Sequence, residues 1–430
     1  MLATAIGLSF LHERAKGAEV RTVFAGGRVF DGTGAAIAEA DVAVVDGTIA
    51  EVGVGLDGDE QVDVAGSTLL PGLFDTHVHV MFGHVDIWRL MQEPFSYRFY
   101  EAIRNLDSTL RIGITTVRDA GGADLGVKRA LEEGIVRGPR IQISITMLSQ
   151  TGGHGDGWLP SGAQVELFPS YHGAPSGIVD GPDEIRRKVR ELVRAGAEVI
   201  KIATSGGVLS PTDNPRQPGF DVEEIEAIVA EARAAGLWVM SHAQSTEGIK
   251  SAVRAGVRSI EHGIYLDDEA IQLMLDNGAY LVPTLVAPLG VIKAAEAGAG
   301  IPEVAVIKAR EVVEAHRDSF RRAVEAGVKV AMGTDAGVVP HGTNLDELQL
   351  MAEHGGMSPE DVLVATTRTA AELMGLSREL GTIEAGKRAD LVVVSGDPFD
   401  FRDLATRIER VYQDGRLVVG AAPEPVAAAV

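Results

Sequence analysis

The chain has 430 residues, of which 45% are hydrophobic, so it can bury the core of one barrel-sized domain and a smaller appended domain. Its net charge of −22 opposes nucleic-acid binding, because nucleic acids are bound by basic surfaces. The chain has no cysteine, which excludes disulfide bonds, thiolate metal ligands and a cysteine nucleophile. Any metal ion must therefore be held by histidine, carboxylate or a modified side chain.

The N-terminal stretch 1–11 is mostly apolar, but it is too short to span a bilayer. No basic region precedes it, and the charged stretch 12–14 follows where a secretory peptide carries small neutral residues. We therefore expect a cytoplasmic protein that does not contact membranes, with export as the alternative interpretation of this stretch.

Both ends of the chain have the pattern of short β-strands. Apolar and alternating runs at 23–30, 41–45 and 48–52 are separated by glycine-rich turns, and similar runs return at 390–394 and 409–419. We therefore predict one small β domain built from both termini. Residues 1–70 would form its N-terminal part, and residues 376–430 its C-terminal part and a loose tail.

The middle of the chain, residues 71–375, alternates between short β-branched runs and helical segments. The predicted strands are 69–77, 113–118, 140–146, 198–203, 238–242, 259–262, 280–283 and 329–333. The predicted helices include 126–137, 182–195, 222–235, 246–255, 267–277, 302–326 and 345–353. This alternation favours an α/β fold of the (β/α)8 TIM-barrel type, with a doubly wound open sheet as the alternative.

Side chains that can bind metal recur at the ends of these predicted strands. His77 and His79 close the first strand, and side chains at i and i+2 of a strand point to the same side. The ends of four later strands carry Lys201, His242, His262 and Asp335. Each position alone has an ordinary structural explanation, but in barrels the C-terminal ends of the strands meet at one mouth. Together the positions predict a metal site there.

Lys201 is unusual within a strand of the sequence Val-Ile-Lys-Ile-Ala, because burying an unpaired ammonium group is costly. An ammonium group does not bind metal, whereas a buried lysine with a lowered pKa can add carbon dioxide and become a carbamate. The two carbamate oxygens can bridge two divalent ions. The alternative is a lysine that orders a carboxylate or anchors the substrate.

These motifs together resemble the amidohydrolase superfamily. The resemblance rests on Lys201 and on stretches 71–79 (PGLFDTHVH), 241–242 (SH), 260–263 (IEHG), 333–335 (GTD) and 381–391 (GTIEAGKRADL). Stretches 151–156 (TGGHGD), 205–211 (SGGVLSP) and 262–268 (HGIYLDD) are similar to a branch with metal-dependent Xaa-Pro dipeptidase-like and imidazolonepropionase-related enzymes. Ochratoxin-type amidases and hydrolases of carbamates and phenylureas are also similar. The resemblance implies a (β/α)8 barrel with a small β-sandwich domain from both termini.

The resemblance also implies a binuclear metal centre. His77 and His79 would bind the more buried ion, and His242 and His262 the second ion. Lys201, as N6-carboxylysine, would bridge the two ions, and Asp335 would complete the first site. The ions would share a hydroxide and deliver it to a carbonyl carbon, while Asp335 moves protons and the ion nearer the substrate polarises the carbonyl.

Three further side chains are candidates for contact with the substrate. His154 lies in a glycine-flanked loop after the third predicted strand, where the backbone can approach a ligand closely. Tyr265 follows His262 by three residues, and its hydroxyl could donate to the oxyanion or to a substrate carbonyl. His341 follows the eighth predicted strand and could contact a polar group. The loop 206–220, which contains three prolines, has the length of a flap over the mouth.

The resulting hypothesis is a binuclear metal hydrolase that cleaves amide C–N bonds in a small-molecule substrate, either a dipeptide of the Xaa-Pro type or an N-acyl amino acid. The first alternative is a hydrolase of xenobiotic amides, carbamates or phenylureas. A cyclic-amide hydrolase or deaminase and a metal-free scaffold protein are further alternatives. Zinc is the expected metal, with cobalt or manganese as alternatives, and we expect a homo-oligomer.

Overall fold

The computed structural model describes residues 20–159, 161–210 and 212–421, so the predicted N-terminal extension and most of the predicted tail lie outside the described residues. The described chain begins with strands β1 (Arg21–Ala25), β2 (Arg28–Val29), β3 (Ala38–Glu39), β4 (Asp41–Val45), β5 (Thr48–Gly53), β6 (Glu60–Asp63) and β7 (Ser67–Pro71). β1 lies between β4 and β6, antiparallel to β4 and parallel to β6. Val23 and Phe24 of β1 are buried, so this sheet has an apolar core of its own.

The middle of the chain contributes strands that pair in parallel. These are β8 (Leu73–Val78), β9 (Ile114–Asp119), β10 (Arg140–Ile143), β11 (Met147–Leu148), β12 (Ile200–Ala203), β13 (Val239–Ala243), β14 (Ser259–His262), β15 (Tyr280–Val282) and β16 (Lys329–Val330). They form two sheets, with the orders β10-β9-β8 and β11-β12-β13-β14-β15-β16. The backbone N–H of Thr76 donates to Met332 O at 2.9 Å, which places β8 beside the segment after β16.

Helices alternate with these strands, as the sequence predicts. They are α1 (Ile87–Leu90), α2 (Tyr97–Arg111), α3 (Leu125–Glu132), α4 (Pro182–Ala195), α5 (Val222–Ala234), α6 (Thr246–Ala255), α7 (Asp268–Asn277), α8 (Val286–Glu296), α9 (Glu303–Ala326), α10 (Asp346–Gly355), α11 (Pro359–Thr366) and α12 (Arg368–Leu373). Asp221 and Glu224 form a capping box at the start of α5. Gly196 and Gly327 end α4 and α9 in the left-handed conformation, with φ of 100° and 88°.

The predicted strand 69–77 is in fact two strands, because the chain changes sheets at Gly72. The Gly72 N–H donates to Asp390 O at 2.8 Å, and a Cβ at this position would lie 2.1 Å from Thr115 Oγ1. Only glycine allows such a close approach. β7 therefore pairs with terminal strands, whereas β8 begins the parallel sheets that carry the predicted metal ligands.

The end of the described chain returns to the beginning. β17 (Leu391–Ser395) pairs antiparallel with β7, and it is followed by a 3₁₀ turn (Leu404–Arg407) and by β18 (Ile408–Gln413) and β19 (Arg416–Val419). The sheet order is β19-β18-β17-β7-β2-β3. Phe24 and Tyr412, whose ring centroids are 4.8 Å apart, pack in the core between this sheet and that of β1. No helix within 20–159, 161–210 and 212–421 is long and apolar enough to cross a membrane.

Candidate metal centre

The structure brings the six predicted metal ligands together at the C-terminal ends of the parallel strands. His79 Nε2 lies 3.2 Å from Asp335 Oδ1, and His77 Nε2 lies 3.5 Å from the same oxygen. Lys201 Nζ is 3.4 Å from His77 Nε2. The rings of His262 and His77 are 5.2 Å apart between centroids, and those of His262 and His242 are 4.6 Å apart.

Two of these residues have a strained backbone. His262 and Asp335 have φ of 72° and 64°, in the left-handed region that non-glycine residues rarely adopt. The backbone N–H of Asp335 donates to His77 O at 2.7 Å and holds the strained turn beside β8. Strain of this kind persists only where surrounding contacts impose it, and it is concentrated at functional sites.

The ring orientation of the first two histidines is fixed by hydrogen bonds from Nδ1. His79 Nδ1 donates to Gly121 O at 2.8 Å, and His77 Nδ1 donates to the Glu261 carboxylate at 2.7 Å. Both Nε2 atoms therefore face Asp335. Burial keeps His77 neutral with Nε2 as its unprotonated nitrogen, whereas the Asp335 carboxylate raises the pKa of His79. A ring nitrogen with its lone pair free is the form of histidine that binds metal.

The other two histidines are held in the same way. His242 Nε2 donates to Gly206 O at 3.1 Å, which leaves Nδ1 as the free nitrogen. His262 Nδ1 lies 2.7 Å from Thr284 Oγ1, which leaves Nε2 free. Burial and neighbouring positive charge lower the pKa values of both rings well below the ordinary value, so both are neutral near pH 7.

This donor set fits divalent metal ions. Ligand atoms of His77, His262 and Asp335 lie within 4.8 Å of one another, and imidazole with carboxylate suits zinc and similar ions. Burial raises the pKa of the Asp335 carboxyl, but the hydrogen bond from His79 and the nearby positive groups outweigh it and lower the pKa below its ordinary value. Asp335 is therefore a carboxylate throughout the neutral range.

Lys201 is a buried amine inside this group of residues. Its side chain is 1% exposed in β12, among positions that are all buried. Burial lowers the pKa of Lys201 to about 8, despite attraction from the Glu261 and Asp335 carboxylates. A neutral, nucleophilic form of the amine is therefore accessible near neutral pH.

Behind His77 lies a buried ion-pair network that the sequence did not lead us to assign. Glu261 accepts from His77 on one oxygen, and on the other it accepts from Arg118 Nη2 at 3.0 Å and Ser259 Oγ at 2.5 Å. Arg118 Nε also donates to Thr76 O at 2.7 Å, which ties the network to β8. A carboxylate behind a ligating histidine fixes its tautomer and raises its basicity.

Asp75 connects the two segments that carry His77 and Asp335. It accepts from the backbone N–H groups of His77 and Thr334, both at 3.1 Å, and from the side chains of Thr334 and Asn344 at 2.6 and 2.8 Å. Burial raises the pKa of Asp75 to about 6 in spite of these bonds. The signal for this residue was present in the motif 71–79, where an acid precedes the histidines.

A mainly apolar cavity opens over the predicted ligands. We call it the inner cavity, and its walls include Phe82, Phe168, Val208, Leu209 and Ile264 beside the histidines. His79 packs against Phe168 with ring centroids 5.4 Å apart. Once a substrate displaces water from apolar walls of this kind, electrostatic interactions with it become stronger.

His154 lies in the wall of this cavity, as the sequence predicts. Its ring stacks on His242 at 4.1 Å between centroids, and its Nδ1 is 2.9 Å from Asp213 Oδ2. Asp213 belongs to the loop 206–220, which is anchored by the buried Lys308 of α9. Lys308 Nζ donates to three carbonyls of this loop, at Gly207, Ser210 and Asp213, at 2.6 to 2.9 Å.

The other two predicted substrate contacts do not line the inner cavity. Tyr265 packs against Ile264, and the Arg216 guanidinium lies 3.9 Å from the centroid of its ring. Both ring nitrogens of His341 are engaged, Nδ1 with Thr109 Oγ1 at 3.2 Å and Nε2 with His79 O at 3.1 Å. His341 therefore supports the end of β8, and contact of either residue with substrate stays a prediction.

Two cavity residues were missed by the sequence interpretation. Gln244 follows β13 and is 5% exposed, and its side-chain oxygen has no hydrogen-bond partner among the described residues. His316 of α9 donates from Nε2 to His262 O at 3.0 Å and to Pro283 O at 2.7 Å. Helix α9 approaches the site only through tertiary packing, so its sequence carries no signal of this contact.

The burial of His316 predicts a pH dependence of stability. Burial lowers its pKa to about 4, below the ordinary value near 6.5, so its stabilising contribution is complete above about pH 6.5 and is lost as the pH falls toward 4. His316→Gln keeps an N–H donor for the two carbonyls but does not titrate. We expect its free energy of unfolding to fall by about 2–3 kcal/mol less than the wild type's between pH 7.5 and 4.5. Urea unfolding of metal-free protein tests this, and equal losses in both proteins would contradict it.

The fold and the site together define an enzyme with its chemistry at the C-terminal ends of parallel strands. The chain matches the Amidohydrolase family over residues 68–418. Ochratoxinase of Aspergillus niger is 35% identical over 371 residues, which cover 82% of this chain and 76% of that protein. The chain therefore belongs to the amidohydrolase family, as its motifs indicated, and is a hydrolase that acts on carbon–nitrogen bonds.

Solved structures support the same assignment. A Xaa-Pro dipeptidase crystallised with methionine in its active site is 35% identical, with a TM-score of 0.84 over 93% of this chain and 100% of that chain. A prolidase complexed with N-methylphosphonate-L-proline is 38% identical, with a TM-score of 0.86 and the same coverage. The mixed α/β fold of this chain is thus that of other amidohydrolases.

Proposed function

We propose that this chain is a binuclear metal-dependent hydrolase that cleaves the amide C–N bond of Xaa-Pro-like dipeptides or N-acyl amino acids. One observation carries the proposal. Each of the four strand-end imidazoles has one nitrogen held by a protein group that is not a predicted ligand, and Lys201 and Asp335 lie among the four rings. Zinc suits these ligands, and cobalt or manganese are alternatives.

In this proposal the ligands divide into two sets. His77, His79 and Asp335 would hold one ion, and His242 and His262 the other. Lys201, as N6-carboxylysine, would serve as a ligand shared by both ions. Bound divalent ions lower the pKa of water and polarise the substrate carbonyl.

Asp335 carries out the proton transfers in this proposal. Its carboxylate accepts a proton from the attacking water and later donates a proton to the leaving nitrogen. The C–N bond breaks as the new C–O bond is completed, so that one water yields a carboxylic acid and an amine. Asp335 suits this role because its carboxylate faces the inner cavity at the end of β16 and stays ionised near neutral pH.

His154 is the substrate-orienting residue of the proposal. Because Asp213 holds Nδ1 at 2.9 Å, Nε2 is available to the cavity. Because the Asp213 carboxylate takes the proton of Nδ1, Nε2 could accept a hydrogen bond from an N–H or O–H group of the substrate. Tyr265 and His341 are secondary candidates, and a movement of Arg216 away from the Tyr265 ring would be needed for Tyr265 to reach a ligand.

A hydrolase of xenobiotic amides, carbamates or phenylureas is the alternative function. The apolar walls of the inner cavity favour it, because compact aromatic compounds would bury well there. A cyclic-amide hydrolase or deaminase is less well supported, since a mononuclear deaminase does not need Lys201 as a bridge. We also infer that the two parallel sheets form one (β/α)8 barrel over residues 71–375, with both termini in a β-sandwich domain.

Metal analysis and a substrate panel test the proposed function. We expect two divalent ions per active chain, loss of activity on chelation, and recovery on adding back zinc, cobalt or manganese. The panel comprises Xaa-Pro dipeptides, N-acyl amino acids, aryl carbamates and phenylureas. Less than one ion per active chain would favour a mononuclear enzyme, and turnover of carbamates or ureas alone would favour the alternative function.

A further inference from the structure

The inner cavity adjoins a second apolar space. We call this space the outer chamber; its walls include Trp88, Met91, Leu159, Val165, Ile301 and Pro302. The two spaces share Ile87, Leu167 and Leu209 together with His154. A substrate whose carbonyl lies at the strand ends can therefore extend an apolar group outward past Leu209.

The inner cavity is almost free of negative charge. Of the residues that the structure describes, Asp335 is the one acidic side chain in its wall, and its carboxylate faces His77 and His79. Glu93 lies behind His84, with Oε2 3.4 Å from His84 Nε2, and does not line the cavity. No other carboxylate on the described wall is available to a cationic substrate group.

The outer chamber does not supply the missing charge. Asp156 lies in its wall, but both of its oxygens accept from backbone N–H groups, from Gly152 at 2.8 Å and from Trp158 at 3.2 Å. Asp156 is also absent from the wall of the inner cavity. A cationic group that must stay close to the reacting carbonyl is therefore not paired with the Asp156 carboxylate.

The α-ammonium group of a dipeptide is such a charge. It is bonded to the carbon next to the scissile carbonyl, so it enters the inner cavity whenever that carbonyl reaches the strand ends. Gln244 Oε1 is an acceptor on this wall but carries no charge, and removing a cation from water without a counter-charge is strongly unfavourable. The divalent ions of the proposed function would add positive charge nearby, whereas an uncharged acyl group loses nothing in the same place.

We propose that the site selects substrates whose acyl side is uncharged and apolar, so that N-acyl amino acids are preferred to free dipeptides. The inference rests on the proposed function, because it concerns which amide that same site accepts. The acyl group lies between Phe168, Val208 and Leu209 in the inner cavity, and larger acyl groups extend into the outer chamber.

A matched pair of substrates tests this preference. 3-Phenylpropanoyl-L-proline and L-phenylalanyl-L-proline are the same size and differ only in the α-ammonium group. We expect the first to have a kcat/KM at least about tenfold higher at pH 6.5. The ratio should fall as the pH rises through the amino pKa of the dipeptide, near 8, because the neutral amine no longer needs a counter-charge.

A pair of protein variants tests the physical cause. Leu209→Glu adds a carboxylate to the shared wall, and Leu209→Gln is the uncharged control of the same size. We expect Leu209→Glu, but not Leu209→Gln, to raise the relative kcat/KM of the dipeptide at least about fivefold. If Leu209→Glu does not fold, the pH dependence of the wild-type ratio remains a complete test.

The outcomes separate this inference from the proposed function. Equal or better turnover of the dipeptide by wild-type enzyme at pH 6.5 would overturn the inference and leave the proposed function standing. Failure of the fully metal-loaded enzyme to cleave either compound, or any other amide of the panel, would overturn the proposed function. A ratio that does not change with pH would refute the role of the ammonium charge.

Discussion

We expect Lys201→Ala to lower kcat/KM for amide hydrolysis about a thousandfold, the size of effect produced by losing a group that organises charge stabilisation. The metal content should fall by one ion per chain or more, because the variant lacks the group proposed to contact both ions. Folding should be retained, since alanine removes from β12 a buried amine whose desolvation is costly. Metal analysis, kinetics and thermal unfolding of the same preparation provide the measurement.

Three controls separate the carbamate from other roles of this lysine. Propionate, a carboxylic acid small enough for the space left by the side chain, should restore part of the activity of Lys201→Ala. Loading wild-type protein with metal in the absence of carbon dioxide should reproduce the loss. Lys293→Ala, which alters an exposed lysine of α8, should change neither quantity. Full metal content and turnover in Lys201→Ala would contradict the bridging role.

The positions of the predicted metal ligands followed from the sequence because each has a local signal. A polar side chain that closes an apolar strand is visible without the fold, as with His242 and His262. The parallel arrangement then brings strand ends together whatever the loops do. Glu261 was inside a quoted motif but was not assigned, because its partner Arg118 is 143 residues away and their contact depends on strand register.

The substrate contacts were harder to predict because they too depend on packing between residues that are distant in the sequence. Tyr265 is close to His262 in sequence, yet its ring packs beneath Arg216 and away from the inner cavity. His341 follows β16 as expected, but its ring turns toward His79 O. Side-chain direction after a strand end is set by loop packing, which carries no short-range signal.

The fold shows a similar division between local and long-range information. Helices with caps and glycine stops, such as α4 and α6, were predicted to the residue. Helix α8 (Val286–Glu296) was missed because its start is not capped by its own sequence. Leu285 and Val286 instead donate their N–H groups to Glu347 of α10, at 2.7 and 2.8 Å. Helix α2 was missed as well, and Ser96 at its start makes no side-chain capping bond.

The interactions around the site explain why its residues are held ready for a ligand. Asp75 ties the His77 segment to Thr334, and Glu261 ties His77 to β9 through Arg118. Burial holds the pKa values of His77, His242 and His262 well below the ordinary value, so these three rings are neutral and no proton must be displaced from them before a cation binds. We infer that metal binding also stabilises the fold, because an ion that binds only the folded chain shifts the unfolding equilibrium toward it.

Asp335→Asn should lower kcat by about 10³–10⁴ while leaving the backbone in place. Asparagine has nearly the same volume, and it tolerates the left-handed conformation that residue 335 adopts, with φ of 64°. The amide cannot accept the proton of the attacking water, and it is a weaker metal ligand. We therefore also expect the chelator concentration needed to remove metal to fall at least about tenfold.

The same substitution at Asp403 is the matched control. Asp403 also has a positive φ, 53°, but it is exposed and follows β17, away from the inner cavity. Asp403→Asn should leave kcat and metal affinity unchanged, so any common effect on the backbone would appear in both variants. Asp335→Glu completes the series, because it keeps the carboxylate but strains the turn by about 1–2 kcal/mol. If Asp335→Asn kept most of its turnover, the proton would have to move through another group, and His154 is a candidate in the cavity wall.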